Sequence, residues 1–107
     1  MKLRIEDNSL RLRLSEEEVH QFAEGGRVAA VVPLGPTETD NLTYALERAE
    51  SEEFRVTYGA GAITVKVPAA LATHWTSTDQ NGLAATLMVA EDKSLKILIE
   101  KDLDCRH

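Results

Sequence analysis

Basic side chains at alternating positions near the start of the chain are the first feature that could do chemistry. Arg11 and Arg13 stand two residues apart, as do Lys2 and Arg4 in the segment before them. Successive side chains of a β-strand point to opposite faces, so alternate residues share one face. Guanidinium and ammonium groups gathered on one face would bind carboxylates or phosphates. The predicted anion- or partner-binding candidates are Arg4, Arg11, Arg13, Arg55 and Lys66.

Two carboxylates determine what this set of cations could do. Glu47 and Glu100 are predicted to project from the same side of their strands as the cations. If they lie beside the cations, the charges form a neutralised ladder of cross-strand ion pairs with little function. If they lie on distant strands, the cations form a groove for an acidic partner. The spacing leaves both arrangements open.

The sequence contains no convincing catalytic or metal-binding motif. Cys105 and His107 are separated by one residue and are weak candidates for metal ligands, since a metal site needs further ligands that converge in space. His20 and His74 occupy neighbouring rather than equivalent positions in two predicted helices. Ser15 precedes three glutamates and is explained as a helix cap. We therefore predict no catalytic residue, no metal and no cofactor.

Length, charge and composition set the class of protein. At 107 residues and 43% hydrophobic, the chain is predicted to form one domain, residues 1–107, around a single core. A formal net charge of −6 opposes nucleic-acid binding, because that affinity comes mainly from cations that neutralise phosphates. The chain has no apolar run long enough to span a membrane and no apolar leader segment. Together with the single cysteine, these features predict a soluble cytoplasmic protein.

The elements that must position the cations follow from apolar periodicity. Leu10, Leu12 and Leu14 alternate with the arginines and form a predicted hairpin with the preceding segment. Ser15 with Glu18 matches a capping box at a helix start, and a pair of glycines ends that helix. The segments RVAAVVPL and LTYALER then alternate as two more strands. The first half is therefore predicted to be ββαββ.

The second half repeats this order. The segments FRVTY, ITVKV, AALATHW, LAATLMVA and LKILIEKD are predicted to be two strands, a helix and two strands, with Tyr58 pointing inward. Leu10 corresponds to Ile63, and Phe22 to Trp75, each fifty-three residues further on. The offset is predicted to slip by two residues at the first strand, with a longer second hairpin turn absorbing the slip. Such a pattern is typical of an internal duplication, here with repeats of approximately 1–50 and 53–103.

The predicted fold class is α+β. Two pseudo-symmetric ββαββ repeats are expected to form a curved or barrel-like, mainly antiparallel sheet with two short helices.

These motifs resemble a family of small bacterial proteins known as a domain of unknown function. The resemblance rests on the opening MKLRIEDNSLRLRLS, the strand LTYALER, the tryptophan after a VP segment and the ending LKILIEKDLDC. It covers nearly the whole chain and implies that Asn8, Ser9, Arg11 and Arg13 belong to a motif that family members share. The resemblance implies a phenylalanine where this sequence has Leu103 and an acidic tail after the cysteine, where this sequence continues to His107. The resemblance implies no activity, substrate or cofactor.

The sequence favours a non-enzymatic protein-interaction or self-associating module, with a protein partner or a homodimer. One alternative is a small-molecule or metal-dependent enzyme with its site between the two repeats. That alternative requires a buried polar cluster, for example His74 with Tyr44 or Tyr58. The other alternative is binding of an anionic ligand at Arg4, Arg11 and Arg13.

Overall fold

The computed structural model describes residues 1–102. Within this part of the chain, eight strands and two α-helices follow one another, with a short 3-10 turn at Glu38–Asp40. The elements are β1 (Lys2–Glu6), β2 (Ser9–Leu14), α1 (Glu16–Gly25), β3 (Arg27–Pro33), β4 (Asn41–Ala49), β5 (Arg55–Gly59), β6 (Ala62–Pro68), α2 (Ala69–Ser77), β7 (Gly82–Ala90) and β8 (Lys93–Lys101). The α+β class and the order of elements predicted from the sequence are confirmed.

The strands form two separate four-stranded sheets rather than one curved or closed sheet. The first sheet has the order β1-β2-β8-β7 and the second has the order β3-β4-β6-β5. The prediction of a barrel-like sheet is therefore wrong. Hairpins supply antiparallel pairs, but the centre of each sheet is a parallel pair, β2 with β8 and β4 with β6. Both sheets are mixed because each joins a hairpin from the first half of the chain to one from the second half.

In each half of the chain, the first hairpin has a two-residue turn. Glu6 pairs with Ser9 in the first hairpin, and Gly59 pairs with Ala62 in the second. The prediction of a longer second turn and of a slip at the first strand is wrong. In the second turn, Gly61 has a φ of 74°, a left-handed conformation that favours glycine.

Apolar residues from both sheets and both helices form one buried cluster. Leu12 and Leu14 of β2 are fully buried, as are Leu46 of β4 and Val67 of β6. The alternation of each strand places these residues on the face that the helices cover. Tyr58 departs from the prediction that it points inward: it is 76% exposed at the end of edge strand β5.

The helices meet through two aromatic side chains. Phe22 of α1 and Trp75 of α2 pack edge to face, with ring centroids 6.2 Å apart. Both residues are almost fully buried. This contact joins the two halves of the chain at the centre of the core, since each ring belongs to a different helix.

The predicted capping box begins α1. The Glu18 N–H donates to Ser15 Oγ at 3.2 Å, and the Ser15 N–H donates to Glu18 Oε1 at 2.9 Å. The amine of Met1 also donates to the Glu18 carboxylate. Burial works to raise the pKa of Glu18, but the hydrogen bonds from Met1 and Ser15 and the charge of the amine outweigh it and lower the pKa.

We expect Glu18→Gln to lower the free energy of unfolding by about 1 to 2 kcal/mol at neutral pH, because it removes the charge that holds the Met1 amine. A lowered folded-state pKa contributes stability that is complete above the unfolded-state pKa and is lost as the pH falls through the folded-state value. The difference between wild type and variant should therefore shrink below the ordinary glutamate pKa. Urea unfolding measured at neutral and acidic pH checks this.

Glu17→Gln is the matched control, since Glu17 is an exposed acid in the same helical turn. It should cost only a few tenths of a kcal/mol through the helix dipole. Equal losses in the two variants would show that the dipole, rather than the ion pair with the amine, explains the effect.

Candidate functional site

The hairpin of β1 and β2 places like charges directly opposite each other on the outer face of the first sheet. Its register sets Arg4 against Arg11, and Lys2 against Arg13. Like charges in such cross-strand positions destabilise a sheet unless carboxylates or a bound anion compensate them. The structure therefore brings together three of the five predicted candidates, with Lys2 beside them.

One carboxylate of β8 serves two of these cations. Glu100 Oε1 lies 3.3 Å from Arg11 Nε and 3.7 Å from Arg13 Nε. Glu100 Oε1 and Arg13 Nε are both buried and neither has a hydrogen-bond partner within residues 1–102, so these contacts are ion pairs without hydrogen-bond geometry. Because one negative charge is divided between two guanidinium groups, this part of the face keeps an excess of positive charge.

The other two cations of the first hairpin have carboxylates of their own. Lys2 Nζ lies 3.1 Å from Asp102 Oδ2, and Arg4 Nη2 lies 3.7 Å from Glu6 Oε1. The Arg4 pair is largely exposed on both sides, which makes it weak. The neutralised ladder therefore describes edge strand β1, where each cation has its own carboxylate, better than β2, where two cations share one.

A groove of about 500 Å³ lies on this face beside Arg11. Ser9, Thr86 and Lys96 supply further polar side chains to its lining, and Leu98 supplies apolar surface. Lys96 forms no ion pair within residues 1–102. The sequence prediction did not include Lys96 among the candidates, although its spacing from Glu100 places both on one face of β8.

The two remaining predicted candidates lie on the second sheet. Arg55 of β5 pairs in register with Lys66 of β6, and Lys66 is the register neighbour of Glu47. Glu47 in turn lies 3.3 Å from Arg27 Nε. The predicted cations are therefore divided between two sheets and do not form a single groove.

The polar cluster required for an enzyme between the halves is not formed by the residues suggested for it. His20 and His74 are both exposed, and Tyr44 Oη donates to the Met1 carbonyl oxygen at 2.7 Å. Asp102 is the one polar or charged residue among the buried residues of the described chain.

The described residues offer no cluster of metal-binding side chains. Residues 1–102 contain no group of three or more side chains suited to hold a metal ion. The weak candidates Cys105 and His107 lie outside the described residues. Neither α1 nor α2 has the length and apolar character of a membrane-crossing helix, and the same is true of all helical structure described.

The fold and this face define a two-sheet α+β protein with a cationic outer surface on its first sheet. The chain belongs to a family of unknown function, DUF7009, whose model matches residues 1–107. This confirms the resemblance found in the sequence. A search of curated proteins and a search of solved structures each gave no significant match.

Proposed function

We propose that this protein is a non-enzymatic binding module whose first sheet takes an acidic segment of a partner protein on its outer face. The observation that carries the proposal is the groove between Arg11 and Lys96. Lys96 has no carboxylate partner within the described chain, and Arg11 shares Glu100 with Arg13. Both cations can therefore gain an anionic contact.

The distribution of charge supports an acidic partner. The chain as a whole has a net charge of −6. On the outer face of the first sheet cations outnumber carboxylates, whereas three glutamates occupy the first turn of α1, away from the groove. A surface patch opposite in sign to the rest of the molecule attracts and orients a partner of complementary charge.

The shape of the groove supports a polypeptide rather than a small molecule. It is open to solvent, and its lining includes Ala84 and Leu98 between the polar side chains. Small-molecule sites enclose most of the ligand surface, which an open groove cannot do. An extended acidic segment could place carboxylates on Arg11 and Lys96 and lay its backbone over the apolar floor.

The test uses a fluorescein-labelled hexaglutamate peptide and fluorescence anisotropy at low salt. We expect the Arg11→Ala, Lys96→Ala double variant to bind it about tenfold more weakly, equivalent to about 1.4 kcal/mol, because two charge-assisted contacts are lost. The affinity of the wild type should fall steeply as salt rises, since exposed charges are screened. Far-UV circular dichroism checks that the variant is folded.

Arg55→Ala, Lys66→Ala is the matched control, since it removes the same charge from the second sheet. It should change the affinity less than about twofold, because these cations belong to the other sheet and do not line the groove. An equal loss in both double variants would show that net charge, not the groove, attracts the peptide.

A third variant should shift the affinity in the opposite direction. Glu100→Gln removes the carboxylate that competes for Arg11 and Arg13. We expect it to bind the peptide several-fold more tightly, because both guanidinium groups become available to the ligand. An unchanged or weaker affinity in a folded Glu100→Gln protein would contradict a site at these arginines.

We also propose that the chain arose by internal duplication. The central pair of the first sheet sets Leu10 beside Ile97, and that of the second sets Ile63 beside Tyr44. Each residue of one pair stands fifty-three positions from its counterpart in the other. A conserved register between parallel strands supports a common ancestor more strongly than similar hydrophobic alternation does.

The ends of the two helices support the same proposal. Arg48 donates to the Ala23 carbonyl oxygen at 3.2 Å near the end of α1, and Lys101 donates to the Thr78 carbonyl oxygen at 2.7 Å after α2. Arg48 and Lys101 are also fifty-three residues apart. Burial lowers the pKa of Lys101, and the charge of Asp79 partly offsets that effect. Sequences of other family members test the duplication. If the two halves of those sequences do not align at one constant spacing, the duplication is contradicted.

A further inference from the structure

Strand β7 is an edge strand without a charged side chain. It runs over nine residues, Gly82–Ala90, and within residues 1–102 it pairs only with β8. An edge strand presents unpaired N–H and C=O groups, and proteins usually protect such edges with charges, prolines or bulges. The irregularity of β7 lies between Met88 and Ala90, so residues 82–88 form a regular, unprotected edge.

The other three edges of the two sheets are protected. β1 carries two cations and an acid, β5 begins with a cation, and β3 is bounded by Arg27 and Pro33. In a chain that is 28% charged, the uncharged length of β7 distinguishes it from these edges.

The lack of charge also makes β7 self-complementary. In an isologous two-fold dimer, an antiparallel strand meets an identical strand, so a charged residue near the axis would oppose a copy of itself. β7 has no such conflict. Met88 and Val89 are 65% and 58% exposed, and a partner strand would cover part of this apolar surface.

We propose that two copies of this chain pair antiparallel through β7, which joins their first sheets into one eight-stranded sheet. Pairing of one strand buries less than the roughly 1,200 Å² of a stable interface, so we expect a dissociation constant in the micromolar range. The occupant of this edge is a second copy because identical uncharged strands match each other without any like-charge contact.

The second copy also extends the candidate groove, and this part of the inference rests on the proposed function. Ala84 and Thr86 line the groove on its β7 side. In the joined sheet, the two β8 strands that carry Lys96 would be separated by three strand spacings of about 4.8 Å, or about 14 Å, across the dimer interface. The dimer would then present one continuous cationic groove to a longer acidic segment.

Sedimentation equilibrium of the full chain from about 1 to about 500 µM tests the pairing in the absence of any ligand. The wild type should shift from monomer toward dimer mass as concentration rises. The Ala84→Lys, Thr86→Lys variant should remain monomeric. Both positions are exposed, and in an antiparallel dimer the two lysines of one strand would lie close to the two lysines of the other, so that like charges repel.

The matched control is Ala29→Lys, Val31→Lys on edge strand β3, where both residues are also exposed. It adds the same charge and should dimerise like the wild type. A wild type that stays monomeric at the highest concentration, or an equal loss in both variants, would overturn the proposal.

Hydrogen exchange of the wild type locates the interface without a variant. Amides of residues 82–88 should exchange more slowly at high protein concentration, and those of β3 should not. Added protection elsewhere, with none in β7, would refute pairing through this strand. Peptide binding measured on dilute monomer stays independent of this result, so the two proposals can fail separately.

Discussion

Replacing Trp75 by alanine is expected to lower the free energy of unfolding by about 3 to 5 kcal/mol. The indole is fully buried and packs against Phe22. Its Nε1 donates to the Asn81 carbonyl oxygen at 3.0 Å, and Lys101 Nζ lies 5.4 Å from the ring centroid. The substitution therefore removes apolar burial, a hydrogen bond and a cation–π contact at the point where the two helices meet. Urea unfolding followed by circular dichroism measures the loss.

Two further variants of α2 separate these contributions. Trp75→Phe retains an aromatic ring and should cost about 1 to 2 kcal/mol, since the Asn81 oxygen still accepts a hydrogen bond from the Lys101 N–H. Leu71→Ala, at a residue 42% exposed on the same helix, is the control and should cost less than either tryptophan variant. A Trp75→Ala loss no larger than that of Leu71→Ala would show that the aromatic contact does not hold the helices together.

Gly61→Ala is expected to lower the free energy of unfolding by about 2 to 3 kcal/mol. Gly61 has a φ of 74°, and a Cβ atom at this position would lie 2.7 Å from the Asn41 carbonyl oxygen. That oxygen belongs to the backbone and cannot move without disturbing the start of β4. The Gly61 carbonyl oxygen also accepts a hydrogen bond from the Thr43 N–H at 2.8 Å, so the turn is joined to the central strand.

Gly59→Ala is the matched control in the same hairpin. A Cβ atom there meets nothing within 4 Å, and the residue has no left-handed φ, so we expect little change. Gly61→Asn tests the two causes separately, because asparagine tolerates a left-handed φ but still carries the clashing Cβ. Equal stability of Gly61→Ala and Gly59→Ala, measured by thermal unfolding, would contradict the close approach to Asn41.

The local elements were predictable because their signals lie within a few residues of one another. Leu10, Leu12 and Leu14 alternate with arginines, and all three are buried on one face of β2. Ser15 and Glu18 form the capping box that their spacing predicts. Each of these features depends on backbone periodicity or on a hydrogen bond within one turn.

The limits of local periodicity appear at Tyr58. Its alternation with Val56 assigned it to the inner face, but it lies at the end of an edge strand and is exposed. Period-two alternation gives the side of a strand from which a residue projects. Burial also requires that another element cover that position, and the sequence contains no direct signal for this.

By itself, the sequence of this protein determined which segments become strands and helices, which faces are apolar and that cations gather on the outer side of the first hairpin. The tertiary structure alone decided that β2 lies parallel to β8, with Ser9 next to Lys96 and Arg13 next to Glu100. The physical reason is that strands distant in sequence pair when the apolar side chains of both halves are buried in one core. The alternation of residues within a single strand does not specify its partner strand. This pairing put a shared carboxylate beside Arg11, together with Lys96, which forms no ion pair within residues 1–102. The pairing of β4 with β6 placed Arg55 on the other sheet.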